Sequence, residues 1–416
     1  MNKLFAEEDN KAILGKFLFI SFYISLFIGF YFNEDSSGSG GFIADFNNTW
    51  GYVIALQNKL FVLPSEWVLH TPLHFLIISK FYPFFESKYL LRLFYCSLCF
   101  LLPLIFYKTL RIKFSTVNKN LLLIFSCSIF LLPAFRSGAI WANDHITASF
   151  FFLVSLYYFV KWEKKNDIRL IYLQCFFLAL AVYTRQYYAT IFFYYIFLYY
   201  KNFNFKNFFF ISSFVFLLSL PGFVLVYYDP ILLSTTFDSN LSNTILVSAS
   251  ILSFYLLPFY FFKILKDKGK IFFKKEFYIM LIFSFIFTII LFNFYNYNYK
   301  TGGGFFIKLS YLIFNNAYFF LLTSISGMLI LLSLLREDKS NTILITIMLL
   351  GFPAYMIFQK YYEPMFLFIL FFLIKTNLIN NFFTSYKNII LYYCYILLYL
   401  LSAIINDYLN LTKTVL

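Results

Sequence analysis

The sequence predicts an all-α integral membrane protein, a polytopic bundle of about 11–13 transmembrane helices. Hydrophobic residues make up 61% of the 416 residues and charged residues only 12%. Soluble chains are nearer to about 45–50% apolar and about 25% charged. A soluble protein of this length would therefore have to hide more apolar surface than a single core holds. This composition excludes an ordinary soluble enzyme, a disordered protein and a disulfide scaffold.

Apolar runs bounded by charged residues or by Pro, Gly and Asn mark the candidate helices in chain order. The predicted spans are 15–33, 88–107, 120–135, 146–161, 169–183, 187–200, 207–227, 244–262, 277–294, 311–335, 341–358, 364–375 and 388–405. The first run lacks an Ala-x-Ala cleavage pattern, so we expect it to be a retained helix rather than a signal peptide. We expect residues 1–416 to form a single transmembrane domain, with 34–87 as the first outer loop.

The net charge of +14 falls mainly in loops that alternate with these runs, and six lysines lie within 263–275 alone. Positive charge of this kind marks cytoplasmic loops, which places the N-terminus in the cytoplasm and makes the lipid bilayer the partner rather than nucleic acid. No Walker-type loop indicates ATP-driven chemistry. The Cys96-x-x-Cys99 pair lies in an apolar run, and no His, Asp or Glu cluster has ligand spacing. We therefore predict no metal and no cofactor.

The first outer loop, 34–87, is too long for a simple connection. Its acids and histidines are Glu34, Asp35, Asp45, Glu66, Glu86, His70 and His74. Residues 44–60 alternate apolar and polar side chains at near-helical spacing, which predicts an interfacial helix with Trp50 and Trp67 as anchors. Asp35, among Ser and Gly residues, indicates a flexible strip. The alternative is a solvated loop whose acids have no role.

Two further polar clusters interrupt apolar sequence on the outer side. Asp144 and His145 stand at the start of the fourth span, where an acid is expected to face a wet cavity or a partner. The structural alternative is that Asp144 pairs with Arg136 and caps a helix. Arg185 and Gln186 break the next apolar stretch, and an arginine there suits a lipid phosphate. The alternative is that Arg185 snorkels to a headgroup without a specific role.

Later in the chain, Lys360 and Tyr362 separate two apolar runs, and three successive glycines at 302–304 indicate a mobile loop or a close approach to a ligand. Acids can deprotonate a hydroxyl, and cations can stabilise a leaving phosphate. This combination suits glycosyl transfer from a lipid-phosphate sugar. It also suits an ion or substrate pathway, and composition does not choose between them.

Five short motifs follow one another along the chain. They are Asp45 in the acidic loop, His70-Thr71-Pro72-Leu73-His74, Leu91-Arg92-Leu93, Tyr183-Thr184-Arg185-Gln186, and Pro353 followed by Gln359-Lys360-Tyr361-Tyr362. In this order they resemble the motifs of the GT-C superfamily of membrane glycosyltransferases, in detail the dolichyl-phosphate-glucose α-1,2-glucosyltransferase family. The chain departs from the family pattern at Phe46, Lys360 and Tyr361, where the family has Glu, Arg and His.

The resemblance implies an inverting transfer of a sugar from a polyprenyl phosphate to a lipid-linked or surface glycan acceptor. Asp45 would be the catalytic base, and Asp144, the second catalytic residue, would with His145 orient the acceptor or support the base. Arg185 and Lys360 would bind the donor phosphate. The remaining substrate-binding residues would be Asp35, His70, His74, His145, Gln186 and Tyr362.

Three functions stay open at the level of sequence. The first is this transferase, in a bacterial inner membrane, with an undecaprenyl-linked donor and the site facing the periplasm. The second is an O-antigen or polysaccharide repeat-unit polymerase, which should be dominated by outer arginines. The third is a flippase or transporter of lipid-linked oligosaccharides, which should show mid-membrane charges and inverted repeats.

Overall fold

The computed structural model describes residues 2–36, 41–59, 62, 70–229, 240–300, 302–352 and 356–415. Within these residues all regular structure is helical and no strand occurs, which confirms the all-α fold class. The chain divides into two compact units: Met1–Thr235 with Ile396–Leu416, and Thr236–Tyr395. Trp67, Glu66 and Pro353 lie outside the described residues.

The first unit holds eleven of the described helices and the end of the last one. They are α1 (Asn2–Tyr31), α2 (Phe42–Asn58), α3 (Leu73–Phe81), α4 (Lys88–Leu98), α5 (Leu101–Lys113), α6 (Lys119–Cys127), α7 (Pro133–Ile140), α8 (Asp144–Lys165), α9 (Arg169–Val182), α10 (Thr190–Asn202) and α11 (Phe205–Tyr228). Helix α8 packs along α9 and α5, and α1 packs along α6. These pairs form the framework around the polar residues of this unit.

The second unit is built on α12 and contains the remaining helices. They are α12 (Leu241–Lys266), α13 (Lys275–Phe292), α14 (Gly304–Phe314), α15 (Tyr318–Glu337), α16 (Asn341–Leu350), α17 (Met365–Phe372), α18 (Leu378–Phe382) and α19 (Tyr386–Val415), which continues into the first unit. Gly327 of α15 lies directly against the backbone carbonyl of Ala249 in α12. Ser250 and Thr323 hydrogen bond across the same pair at 2.8 Å. Small residues thus let the two backbones approach closely, as in other membrane helix pairs.

Seven helical stretches within the described ranges are long and apolar enough to cross a membrane, so the protein is an integral membrane protein. They are Ile13–Tyr31, Lys88–Lys113, Phe205–Tyr228, Leu241–Lys266, Lys275–Phe292, Tyr318–Glu337 and Tyr386–Asp407. An eighth span would be the pair Lys119–Leu131 and Pro133–Ile140, which is bent by 66°. Leu132, extended before Pro133, marks the bend, because proline disfavours helical geometry in the residue before it.

The expected 11–13 long spans exceed this number because several apolar runs form short helices. A helix needs about 20 residues to cross the hydrocarbon core. Helix α9 has 14 residues, α16 has 10 and α17 has 8. The predicted span at 311–335 is in fact two helices, since α14 ends at Phe314 and α15 begins at Tyr318.

The helix predicted at 44–60 is present as α2, and it packs on α3. Its position at the membrane interface stays a prediction. Trp50 is buried against Phe46 and Tyr82 rather than exposed. Lys80 of α3 donates to the carbonyl of Leu56 near the end of α2. A lysine at that position satisfies a carbonyl that the helix leaves open, so the two helices are held at a fixed angle.

Arg136 pairs with Glu34, so the alternative in which it pairs with Asp144 is wrong. Its Nε and Nη2 donate to the two carboxylate oxygens at 2.7 and 2.6 Å, and Nη1 donates to the hydroxyl of Ser25. A Cβ on Gly29 would collide with the Glu34 carboxylate and lie 2.9 Å from the Arg136 guanidinium. The bare backbone at Gly29 therefore lets the chain after α1 fold back onto α7.

Glu34→Gln should lower the thermal stability of the purified protein strongly. The change keeps the side-chain size but leaves the buried Arg136 without its counter-charge, and losing one partner of a buried pair typically costs about 3–5 kcal/mol. Thermal unfolding in detergent measures the effect. The control is Glu163→Gln, whose pair with Lys113 is about one-third exposed and should contribute less than about 1 kcal/mol. Equal midpoints for the two variants would contradict a structural role for the Glu34 pair.

Candidate functional site: a buried ion pair in the first unit

Asp144 stands at the first turn of α8 in the first unit, and its side chain is buried. The helix begins there because the Asn143 side chain accepts a hydrogen bond from the amide of His145 at 3.0 Å. Ala142, just before, has a left-handed backbone (φ 48°) that turns the chain into the helix. An acid in the first helical turn is stabilised by the positive end of the helix dipole.

Arg185 follows the end of α9 and reaches the same place. Its Nη2 donates to Asp144 Oδ1 at 2.6 Å, and the two side chains are only 5% and 3% exposed. Its Nη1 lies 2.9 Å from Nε2 of His70, so this imidazole nitrogen accepts a hydrogen bond from the guanidinium. Arg185 therefore does not simply snorkel to a headgroup.

The segment that carries His70 is fastened to the end of α9. The Thr71 hydroxyl donates to the carbonyl of Val182 at 2.8 Å, and the amide of Leu73 donates to the carbonyl of Tyr183 at 2.9 Å. These two hydrogen bonds, one on each side of Pro72, hold His70 beside Arg185. The His70–His74 run and the Tyr183–Gln186 run, which are far apart in sequence, meet here.

Asp144 is ionised in this environment. Burial alone would raise its pKa, but the adjacent Arg185 guanidinium outweighs burial and lowers the pKa. Its second oxygen, Oδ2, is buried and accepts no hydrogen bond from the described residues. Buried carboxylate oxygens are normally satisfied, so Oδ2 has the capacity to accept a hydrogen bond from a bound hydroxyl.

His74 is part of the support beneath this pair. Its Nε2 lies 2.9 Å from the carbonyl of Ala142 and its Nδ1 lies 2.8 Å from the Thr147 hydroxyl. The Tyr95 hydroxyl contacts the same Thr147 hydroxyl at 2.8 Å. A carbonyl only accepts, so Nε2 carries a proton. Burial lowers the pKa of His74 to about 4, so the ring is neutral at pH 7. With both ring nitrogens engaged, His74 suits positioning the start of α8 more than contacting a substrate.

The other residues of this unit that were predicted to bind or react with substrate are His145, Asp45, Asp35 and Gln186. The His145 ring lies 3.3 Å (Nδ1) from the Tyr187 hydroxyl and packs edge-on against Phe42 of α2. Asp45 is one helical turn beyond Phe42 on α2 and is half-buried. Asp35 is buried and accepts from the amide of Ile43 at 3.2 Å, so it caps α2 rather than lying in a flexible strip. Gln186 is half-buried and directly follows Arg185.

Lys360 and Tyr362 belong to a separate polar cluster inside the second unit. Lys360 and its neighbour Glu363 are buried, and Tyr255 donates to the Glu363 carboxylate at 2.6 Å. The Tyr362 hydroxyl donates to the Ser248 hydroxyl at 2.6 Å and is fully buried. Tyr362 therefore contributes to helix packing, whereas Lys360 is the cation of this cluster.

The three glycines at 302–304 all have positive φ angles, between 77° and 82°. The amide of Gly303 donates to the carbonyl of Ile357, and the amide of Phe305 donates to the Gln359 side chain at 2.6 Å. A Cβ at Gly302 would lie 2.8 Å from the same carbonyl. The sequence left two alternatives for these glycines, a mobile loop or a close approach to a ligand. The structure shows a close approach to the protein's own backbone at Ile357.

An apolar cleft of about 210 Å³ lies beside the His74 network in the first unit. Residues of α3, α4, α5 and α8 line it, and the hydroxyl-bearing Tyr95 and Thr147 belong to both the cleft and the network. The cleft thus has an apolar lining and reaches the first turn of α8 at Ile146 and Thr147. Sequence reasoning missed Tyr95 and Thr147 because both lie within apolar runs, where one hydroxyl gives no signal.

Within the described residues, no group of His, Cys, Asp and Glu side chains could hold a metal ion. The chain matches no protein-family model, no curated protein and no solved structure. The geometry of the buried pair and the cleft is consequently the basis for a functional proposal.

Stability should fall as the pH drops from about 6.5 toward 4, because of His74. Burial lowers its pKa to about 4, below the usual 6.5, so the folded state binds this proton more weakly than the unfolded state. The free energy of unfolding then falls by at most about 1.4 kcal/mol per pH unit within this window. Thermal midpoints measured from pH 7.5 to pH 4.5 check the slope.

His74→Gln should flatten that slope, whatever it does to the midpoint at pH 7.5. His145→Gln, which keeps His74, is the matched control and should retain the His74 part of the slope. An unchanged slope in His74→Gln would show that another group is responsible.

Proposed function

We propose that the protein is a GT-C-like membrane glycosyltransferase. It moves a sugar from a polyprenyl-phosphate donor to a lipid-linked or surface glycan acceptor, with inversion at the anomeric carbon. The single observation that carries the proposal is the buried Asp144–Arg185 pair with His70, set beside an apolar cleft. Such a site offers groups for a phosphate and a hydroxyl next to a surface that suits a lipid chain.

The reaction needs one base and one place for the leaving phosphate. The acceptor hydroxyl attacks the anomeric carbon, its oxygen forms the new glycosidic bond, and its proton passes to the Asp45 carboxylate. The bond from the anomeric carbon to the phosphate oxygen breaks, and the polyprenyl phosphate leaves with the electron pair. Asp45 suits the base because it is half-buried on α2, which also carries the Phe42 that contacts His145.

Asp144 suits an orienting role better than a proton-accepting one. Its lowered pKa keeps it anionic and makes it a weak base. The Oδ2 atom can accept a hydrogen bond from a hydroxyl of the acceptor sugar, while Oδ1 holds the Arg185 guanidinium. Asp144 therefore aligns the acceptor and the arginine at once.

Arg185 provides the phosphate contact, since a guanidinium matches the geometry of phosphate oxygens. His70 contacts Nη1 of the guanidinium, the terminal nitrogen next to the one that donates to Asp144. The first part of a polyprenyl chain fits the apolar cleft, whose lining includes Phe94, Leu98 and Phe151. The role of Lys360 as a second phosphate ligand stays a prediction from the resemblance, and the proposed site consists of first-unit residues alone.

The proposed setting is the outer face of a bacterial cytoplasmic membrane. Loops such as 263–275 carry the excess positive charge, which favours a cytoplasmic position for the face that bears them. The opposite face is then the proposed site of transfer. The lipid carrier would be undecaprenyl phosphate, and the product a surface polysaccharide such as O-antigen.

Purified protein in proteoliposomes, given a panel of undecaprenyl-phosphate sugars and glycan acceptors, should transfer one sugar per acceptor. Asp45→Asn should reduce transfer by about 100- to 10,000-fold, the usual contribution of a general base, with an unchanged thermal midpoint. Glu86→Gln, an exposed acid of the same outer segment, is the matched control and should retain activity. Full activity in Asp45→Asn would remove the base assignment.

The same panel separates the competing functions. Joining of whole repeat units into a polymer would replace the transferase with a polymerase. Movement of lipid-linked oligosaccharide across the bilayer, without any new glycosidic bond, would replace it with a flippase.

Arg185→Lys should raise the KM for the donor by about 10- to 100-fold and leave the KM for the acceptor nearly unchanged. Lysine keeps the charge beside Asp144 but loses the fork that grips two phosphate oxygens. Initial rates over a matrix of donor and acceptor concentrations measure both constants, and the thermal midpoint shows that the fold is kept. An equal rise in both constants would argue against phosphate binding at this residue.

A further inference from the structure

A large polar cleft lies within the second unit, at one end of three candidate spans. It occupies about 940 Å³ where α12 ends, α13 begins and α15 ends. Nine charged residues contribute to its lining: Lys263, Lys266, Asp267, Lys268, Lys270, Lys274, Glu276, Arg336 and Glu337. Because the three helices are long enough to cross a membrane, their common end lies at the boundary between lipid and water.

Two of the three acids in the cleft are committed to protein partners. Glu337 pairs with Lys263 at 2.7 Å through one oxygen, and its other oxygen accepts from Thr376 and from the amide of Asn377, both at 2.8 Å. Glu276 pairs with Arg336 at 3.2 Å. These contacts cancel two cations against two acids.

The remaining charges leave a strong positive excess. Lys266, Lys268, Lys270 and Lys274 are all exposed and stand against the single carboxylate of Asp267, which leaves +3. Lys266 donates to the side-chain oxygen of Asn381 at 2.7 Å, and this neutral amide does not offset its charge. Three or four ammonium groups around one cavity repel each other, so the cleft is arranged to attract an anion.

Aromatic side chains alternate with these lysines. Phe272 and Phe273 stand between Lys270 and Lys274 in a short 3₁₀ turn, and Phe273 is 86% exposed. Phe277 is buried and lines the cleft. Exposed phenylalanines beside lysines are typical of a segment that inserts rings into the acyl boundary while its ammonium groups meet lipid headgroups.

We propose that this cleft, the basic cleft, binds the phosphate of an anionic phospholipid. The phosphodiester lies among Lys268, Lys270 and Lys274, and the acyl chains lie along the apolar faces of α12 and α13, where Phe261 and Ile279 are exposed. Basic pockets between the ends of transmembrane helices are suited to such headgroups. The lysine-rich loop makes this the cytoplasmic leaflet. The site is independent of the proposed sugar transfer.

A lipid is a better occupant than a soluble phosphate compound. A soluble anion would interact with the lysines alone, and salt at 0.1 M screens the attraction between exposed charges over about 10 Å. A phospholipid adds the burial of its chains against exposed aromatic and aliphatic side chains at the same end of the helices. The neighbouring Phe272 and Phe273 would have no function toward a water-soluble ligand.

The test uses the full-length protein in zwitterionic detergent with added phosphatidylglycerol or phosphatidylcholine. Thermal midpoints and native mass spectrometry report binding. Phosphatidylglycerol should raise the midpoint and remain bound, whereas phosphatidylcholine should not. The triple variant Lys268→Gln, Lys270→Gln, Lys274→Gln should bind phosphatidylglycerol roughly 100-fold more weakly, because each lysine near an anionic headgroup contributes about tenfold or less.

The matched control removes the same charge elsewhere. Lys165→Gln, Lys201→Gln and Lys206→Gln change three exposed lysines on the same predicted face, and their combination should bind the lipid as the unchanged protein does. Equal loss in both triple variants would reduce the effect to net charge and overturn a defined site. Stabilisation by inorganic pyrophosphate at the concentrations at which the lipid acts would also overturn the lipid assignment, since the ligand would then be a soluble phosphate.

Discussion

A carboxylate and a guanidinium that are both almost fully buried are tolerated only as partners, and Asp144 and Arg185 impose this constraint on the first unit. Each side chain alone would be costly to remove from water. Helix α8 must therefore begin where α9 has just ended, and the His70 segment must be fastened there too. The short helix α9 and the turn at Arg185 follow from this requirement, because an uninterrupted apolar span would carry the arginine into lipid.

The Glu34–Arg136 pair obeys the same constraint but has a different character. Both carboxylate oxygens of Glu34 accept from Arg136, and the guanidinium also donates to Ser25, so the pair is satisfied by the protein itself. Asp144 uses only Oδ1 for its arginine, while Oδ2 has no donor among the described residues. The Glu34–Arg136 pair, whose carboxylate oxygens both accept hydrogen bonds, therefore suits a structural role. The Asp144–Arg185 pair, in which Oδ2 can still accept a hydrogen bond, suits a ligand site.

The sequence predicts the membrane class and the polar positions well, because charges inside apolar runs are rare and stand out. His70, Asp144 and Arg185 were predicted on one face, and the structure joins them directly. The partner of Arg136 was not predictable, since Glu34 reaches it only through a chain reversal that depends on Gly29. The number of long spans was also overestimated, because hydropathy alone does not show where helices such as α9 and α16 end.

The opposite charges of Asp144 and Arg185 neutralise each other, and this affects how strongly the proposed site would bind a phosphate. With Asp144 anionic and the His70 nitrogen accepting from Arg185, the three groups carry no net charge. A donor phosphate must then share the guanidinium with Asp144, rather than meet an excess of positive charge. Such sharing would weaken the binding of any phosphate, and in the proposed transferase it would favour release of the polyprenyl phosphate after transfer. A site with an unpaired arginine in such apolar surroundings would hold its product far longer, because Coulomb attraction there is poorly screened.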